Sequence, residues 1–244
     1  MKRCILLIMG FSIIFISCYG QIDQETKEWL NKTIYQKNVE NFNHPSVKGS
    51  PFYLDKFVQG SIYFKNNKKE KGAKLNYNMK EDIFCFQQAN QIYTIKNIKD
   101  IQRIDIEGET FINTQFINSN EETQSGFLMV LAKGDCELYK RIRKEFKEAK
   151  EAGAYSSSQD AHFVKQEPKY YIKTPSMEAI ESINKLWNKT FLKTLFPGVW
   201  RKKFIDSLFP DEKEKLLKLI EENNIQLKNE KGLIKFVNLY NNLD

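Results

Sequence analysis

The stretch Leu75-Asn76-Tyr77-Asn78-Met79-Lys80 decides the fold class. Large apolar side chains alternate there with polar ones, the period of a strand with one buried face. Upstream, Ser61-Ile62-Tyr63-Phe64-Lys65 is β-rich and runs into the polar loop 66–72. The strand-like region begins near Lys48-Gly49-Ser50-Pro51. Downstream come Ile83-Phe84-Cys85-Phe86, then Ile92-Tyr93-Thr94-Ile95, then Ile104 and Ile106 about Asp105, with Gly108 after them. Phe111-Ile112 with Phe116-Ile117 make the next strand. The apolar run 127–131 ends at Lys133-Gly134-Asp135, a hairpin turn. Short strands at this spacing predict an antiparallel meander or roll.

Residues 136–149 fit either period, since Leu138, Ile142 and Phe146 suit a helix face or a long strand; the turn before them favours strand. Residues 153–159 read as loop. His162-Phe163-Val164 and Tyr170-Tyr171-Ile172, either side of Glu167-Pro168, read as a final hairpin. From Ser176 the period changes. Ile180, Ile183, Leu186 and Trp187 have helical spacing, with Ser176 as N-cap and Pro197-Gly198 as the stop. Residues 211–222 and 229–242 read as two more amphipathic helices. Strands first and helices after give an α+β order. The chain therefore divides into a leader (1–20), a polar arm or short helix (21–47), a β-rich body (48–175) and a helical segment (176–244).

The leader reads as an export signal. Met1-Lys2-Arg3 is basic, residues 5–16 are an apolar run too short to span a membrane comfortably, and Ser17-Cys18-Tyr19-Gly20 is short and small or polar. Cleavage after Gly20 is the preferred route. The alternative is lipidation at Cys18, although Phe15 and Ile16 fit a lipobox poorly; membrane association is expected only on that route. A periplasmic, outer-membrane-associated or secreted location follows. The sequence carries 38 basic and 31 acidic residues, a formal net charge of +7. Loss of residues 1–20 removes two of those basic residues and no acid, leaving +5. That is too mild for a nucleic-acid partner, but it leaves room for an acidic glycan or a protein of the envelope.

Motifs for chemistry are sparse. His44 and His162 stand apart, with no paired Cys-x-x-Cys and no His-Glu-x-x-His, so neither a metal nor a cofactor is expected. No Gly-x-Ser-x-Gly elbow nominates a nucleophile. The acid pairs Glu81-Asp82, Asp105 with Glu107, Glu121-Glu122 and Asp211-Glu212 read as turn formers, strand exteriors and a helix start rather than as a glycosidase pair. Cys85 and Cys136 remain after export. They are a candidate disulfide, though two free buried thiols are the preferred reading. Trp187, Phe191 and Trp200 with Arg201, Lys202 and Lys203 form a candidate interface. The competing reading is that these aromatics, with Tyr170, Tyr171, Phe196 and Phe204, pack helices onto the sheet.

Several stretches resemble a family of exported envelope proteins from Bacteroidota-type bacteria. They are Gly49-Ser50-Pro51-Phe52-Tyr53-Leu54, Gly60-Ser61-Ile62-Tyr63, Leu75-Asn76-Tyr77-Asn78, Leu138-Tyr139-Lys140, Phe163-Val164, Tyr170-Tyr171-Ile172 and the tail from Leu233-Ile234 to Tyr240-Asn241. The resemblance implies an envelope location and an antiparallel sheet, and no activity. The expected role is a non-enzymatic binding or structural component; a secreted hydrolase of glycan or peptide and a small-ligand carrier are the alternatives.

Overall fold

The computed structural model describes residues 34–35, 47–88, 91–95, 98–152, 157–183 and 197–243. The leader with Cys18, most of the arm with His44, and the stretch holding Trp187, Phe191 and Phe196 lie outside the described residues. The fold is α+β. The alternating stretch at residues 75–80 is the end of β4 (Lys69–Asn78), which pairs with β3 (Val58–Phe64) and β5 (Ile83–Gln88), and β5 pairs with β6 (Gln91–Ile95). A two-residue strand, β1 (Ile34–Tyr35), adds to β6. The chain then returns across these strands, so that β7 (Ile101–Ile106) pairs with β3 and not with β6. Glu107 and Gly108 both have positive φ, 49° and 79°, and turn β7 tightly into β8 (Glu109–Ile117). All of these pairings are antiparallel. The inward residues of this roll, among them Ile62, Leu75, Tyr77, Phe84, Ile104, Phe111 and Phe127, form one aromatic-rich core.

The second half closes on itself. β8 also pairs with β9 (Thr123–Ala132), β9 with β10 (Glu137–Arg141), β10 with β13 (Lys169–Lys173), and β13 with β14 (Glu181–Ser182). β14 then lies parallel to the end of β8, where Ile117 N–H donates to the Ile180 carbonyl at 2.8 Å. The result is a closed five-stranded barrel, where the sequence predicts only a meander or roll. β8 makes closure possible because its pairing with β7 stops at Ile112, leaving the same edge open near Ile117. Phe116, Leu128, Tyr139, Tyr171 and Ile180 fill the interior.

The sequence reading fails in two stretches here. The segment from Ser176 is not a helix as far as Ile183; it carries a turn and β14. Ile180 and Ile183 imitate helical spacing, but Ile180 faces the barrel interior and Ile183 packs against the helices. The two strands about Glu167-Pro168 do not pair with each other. They are β12 (Ala161–Lys165) and β13, whose partners are β11 (Lys144–Lys147) and β10. Residues 137–147 and 161–173 thus run as one long bent hairpin. Its outer half carries β2 (Val47–Lys48), parallel to β12, as a small three-stranded sheet.

Among the described residues, three α-helices cover the outer face of the barrel. Pro197 opens α1 (Pro197–Leu208), where a first-turn proline forfeits no hydrogen bond. A 3-10 turn at Pro210–Glu212 leads into α2 (Lys213–Glu222), and Asn229 caps α3 (Glu230–Tyr240) by accepting from Gly232 N–H at 2.9 Å. Phe204, Ile205, Leu216, Ile220, Leu233 and Phe236 pack onto Cys136, Leu138, Tyr170 and Ile172. The contact is fastened at one end by Asn241. Its side chain accepts from Cys136 N–H at 2.8 Å and donates to the Cys136 and Lys133 carbonyls at 2.8 and 3.2 Å.

Candidate functional site

A dense cluster of half-buried charged groups lies where the roll meets the barrel, and Asp82 is its centre. Asn78 shapes the β4–β5 turn by accepting from the N–H groups of Lys80 and Glu81, both at 3.1 Å. Asp82 takes the positive φ of 62° that ends this turn, a conformation asparagine and aspartate tolerate better than most residues. Its carboxylate then points across to the barrel. One oxygen accepts from Tyr77 Oη at 2.5 Å and from Phe127 N–H at 3.3 Å. The other meets Arg141 Nη2 at 2.7 Å and Arg143 Nη1 at 2.9 Å. Arg141 reaches Gln124 through Nη1 at 3.0 Å, and Arg143 donates to the Lys80 carbonyl at 2.6 Å. Gly126 makes room: a Cβ there would stand 2.5 Å from Asp82 Oδ2.

The electrostatics follow from this packing. Burial, then the neighbouring Asp82 charge, push the Tyr77 phenol well above its ordinary range, so it stays a neutral donor. Burial pulls the Arg141 guanidinium down, but hydrogen bonding to Asp82 and the nearby negative charge together outweigh it, and the net movement is upward. With three hydrogen-bond donors and the Arg143 ion pair on one carboxylate, both oxygens of Asp82 are occupied. The cluster ties the β4–β5 turn of the roll to β9 and β10 of the barrel and offers no free base. Lys144 adds a second tie, donating to the Ser50 and Phe52 carbonyls at 2.6 and 2.7 Å.

The residues singled out in the sequence are scattered. Cys85 lies in β5 on the roll, and Cys136 starts β10 beneath the helices. Both are free, buried thiols, pushed up by burial to about 12, and at neutral pH such thiols are inert. Tyr170, Tyr171 and Phe204 are buried core residues. Lys202 and Lys203 are exposed on α1 and Arg201 is half-buried beside them; the side chain of Trp200 lies outside the described residues. His162 is half-buried, its Nδ1 2.8 Å from the Asp160 carbonyl. The acid pairs sit in structural roles. Asp105 accepts from Thr110 Oγ1, Glu122 from Asn118, and Glu212 from Tyr240 Oη.

The reading of Glu81-Asp82 as a turn misses that Asp82 organises the interface. The available signal was Arg141 and Arg143, two cations at alternate positions about Ile142. Among the described residues no group of three or more His, Cys, Asp or Glu is placed to hold a metal ion, and no helix is long and apolar enough to cross a membrane. Comparison with family models, curated proteins and solved structures returns no match to this chain.

Proposed function

We propose that this protein is an exported cell-envelope component with a non-enzymatic role, binding another envelope molecule. The observation that carries the reading is the saturated state of Asp82. The cluster that most resembles a reaction centre spends every acceptor on internal donors, as a structural tie does and a working acid or base does not. The two thiols, raised to about 12, fit the same picture. The basic and apolar leader supports export, and so does the resemblance to Bacteroidota-type envelope proteins. Tight filling of the barrel by Phe116, Leu128, Tyr139 and Tyr171 favours a binding surface on the outside over a ligand carried within.

The test begins with fractionation and N-terminal sequencing of natively expressed protein. Recovery outside the cytoplasm, starting at Gln21 or at a lipid-bearing Cys18, supports export; an intact Met1 in the cytosol overturns it. Crosslinking in intact cells then seeks one reproducible envelope partner. Turnover of a glycan or peptide substrate, abolished by changing a single carboxylate, replaces the binding role with the hydrolase alternative.

A further inference from the structure

Among the described residues, seven lysines meet a carboxylate, including Lys80 with Glu81, Lys133 with Glu137, Lys140 with Glu230, Lys147 with Glu145 and Lys213 with Asp206. The solvent face of the roll gathers lysines outside this set. The register places Arg103, Tyr63 and Lys69 side by side across β7, β3 and β4, and Asp105, Ser61 and Lys71 in the next row. Lys69, Lys71 and Lys74 are exposed and have no carboxylate partner among the described residues. Arg103 touches Asp105 only through Nε, at 3.6 Å. Its guanidinium lies 3.9 Å from the Tyr63 ring centroid, and the Lys69 ammonium lies 4.2 Å from it. Lys69 also donates to the Tyr63 hydroxyl. Hydrogen bonds from Lys69 and Arg103 pull that phenol below its ordinary value.

Beside this row lies an open depression of about 300 Å³, lined by Gln59, Ser61, Asp105 and Glu107 and by the side-chain-free Gly72 and Gly108. Nothing stands within 4 Å of a Cβ built on either glycine. The depression is thus flanked on one side by Lys69 and Lys71, which have no carboxylate partner among the described residues, and lined by oxygen acceptors. A bilayer of anionic headgroups would meet Asp105 and Glu107 as like charges. A saccharide would meet them as acceptors for its hydroxyl groups while its acid group reached the cations.

We infer that the solvent face of β3, β4 and β7 binds an acidic polysaccharide, with Arg103, Lys69 and Lys71 taking its anionic groups and Asp105, Gln59 and Ser61 its hydroxyls. The inference rests on the envelope-binding reading and names a partner class for it. Titration of the full chain with hexagalacturonate, with neutral maltohexaose and phosphatidylglycerol vesicles as controls, tests it. Binding to the acidic oligosaccharide alone is the expected result. Lys69→Ala with Arg103→Ala weakens it about tenfold or more, the worth of one or two charge-assisted hydrogen bonds. Asp105→Ala separates recognition from bare charge: removing an acid weakens binding if the carboxylate holds hydroxyls, and strengthens it if only net charge matters. Lys71→Ala, an exposed change, repeats the cation test should Asp105→Ala alter the melting curve. No binding to hexagalacturonate, equal binding to the vesicles, or tighter binding by Asp105→Ala overturns the inference. Capture of a protein partner in the crosslinking experiment would survive any of these results.

Discussion

The roll and the barrel are built from the same kind of strand but by different routes. In the roll, β3 to β6 pair in chain order and β7 and β8 follow with a tight turn, so most contacts join near neighbours in sequence. The barrel is assembled from distant pieces. β10 and β13 are linked through a long excursion, and the ring is completed by two residues, Glu181 and Ser182. The roll therefore owes its form to local pattern and the barrel to long-range packing, whose loop-closure cost must be met before any contact forms.

Four measurements break or sharpen that comparison. Asp82 holds the two regions together, so Asp82→Ala has the largest expected effect. It leaves two largely buried guanidinium groups and the Tyr77 hydroxyl without their shared acceptor, at a cost of about 3–5 kcal/mol in urea unfolding. Two separate transitions by tryptophan fluorescence and circular dichroism would show roll and barrel uncoupled; a loss below about 1 kcal/mol would show the tie to be unimportant.

Asn241→Ala acts on the barrel side alone. Losing its bonds to the β9–β10 turn costs about 1–3 kcal/mol, since Cys136 N–H is left without its acceptor. The two thiols report where the damage falls, because Cys136 lies beneath the helices and Cys85 on the roll. Labelling of Cys136 by a thiol reagent should accelerate in this variant while Cys85 stays protected. Equal acceleration at both would mean the molecule opens as one unit.

The same thiols set an alkaline limit. Their folded-state pKa values, about 12, stand above the ordinary value of 9.0, so the folded form prefers the neutral thiol. Their stabilising effect is complete below pH 9.0 and is lost as pH rises toward about 12. Each thiol contributes a slope of about 1.4 kcal/mol per pH unit in that window. Cys85→Ala and Cys136→Ala should each flatten the fall in urea midpoint, and an unchanged slope in both would assign it to other groups. The smallest effect is expected from Asn229→Ala, which removes the cap of α3 and costs about 1 kcal/mol, read as a lower thermal midpoint.

What could be read from the sequence follows the same division. Leu75, Tyr77 and Met79 alternate with polar residues and point into the aromatic core, and β3 to β8 were legible as short β-rich runs; β1 was not, because Ile34-Tyr35 lies in a polar stretch that reads as an arm or short helix. The last helix was legible too, through Asn229 and the apolar spacing after it. Ile180 and Ile183 misled because two residues of strand carry no period of their own; only the distant Ile117 and Tyr171 select that conformation. Tyr170 and Tyr171 were assigned the nearest upstream strand, when their partners lie some thirty residues back in β10. Asp82 looked like an ordinary turn acid, since nothing local announces that Arg141 and Arg143 will arrive from the far side of the fold.

The short strand that completes the ring has a consequence for how the molecule is made. Chains emerge from the ribosome N-terminus first, so β8 is finished long before Glu181 is added at the end of the intervening residues 118–180. Through that interval the amides of β8 near Ile117 face outward on an unclaimed edge, the kind of surface on which a second nascent copy can template itself. Truncation anywhere before residue 181 would freeze the molecule in that condition, and such fragments should be found in aggregates rather than in solution.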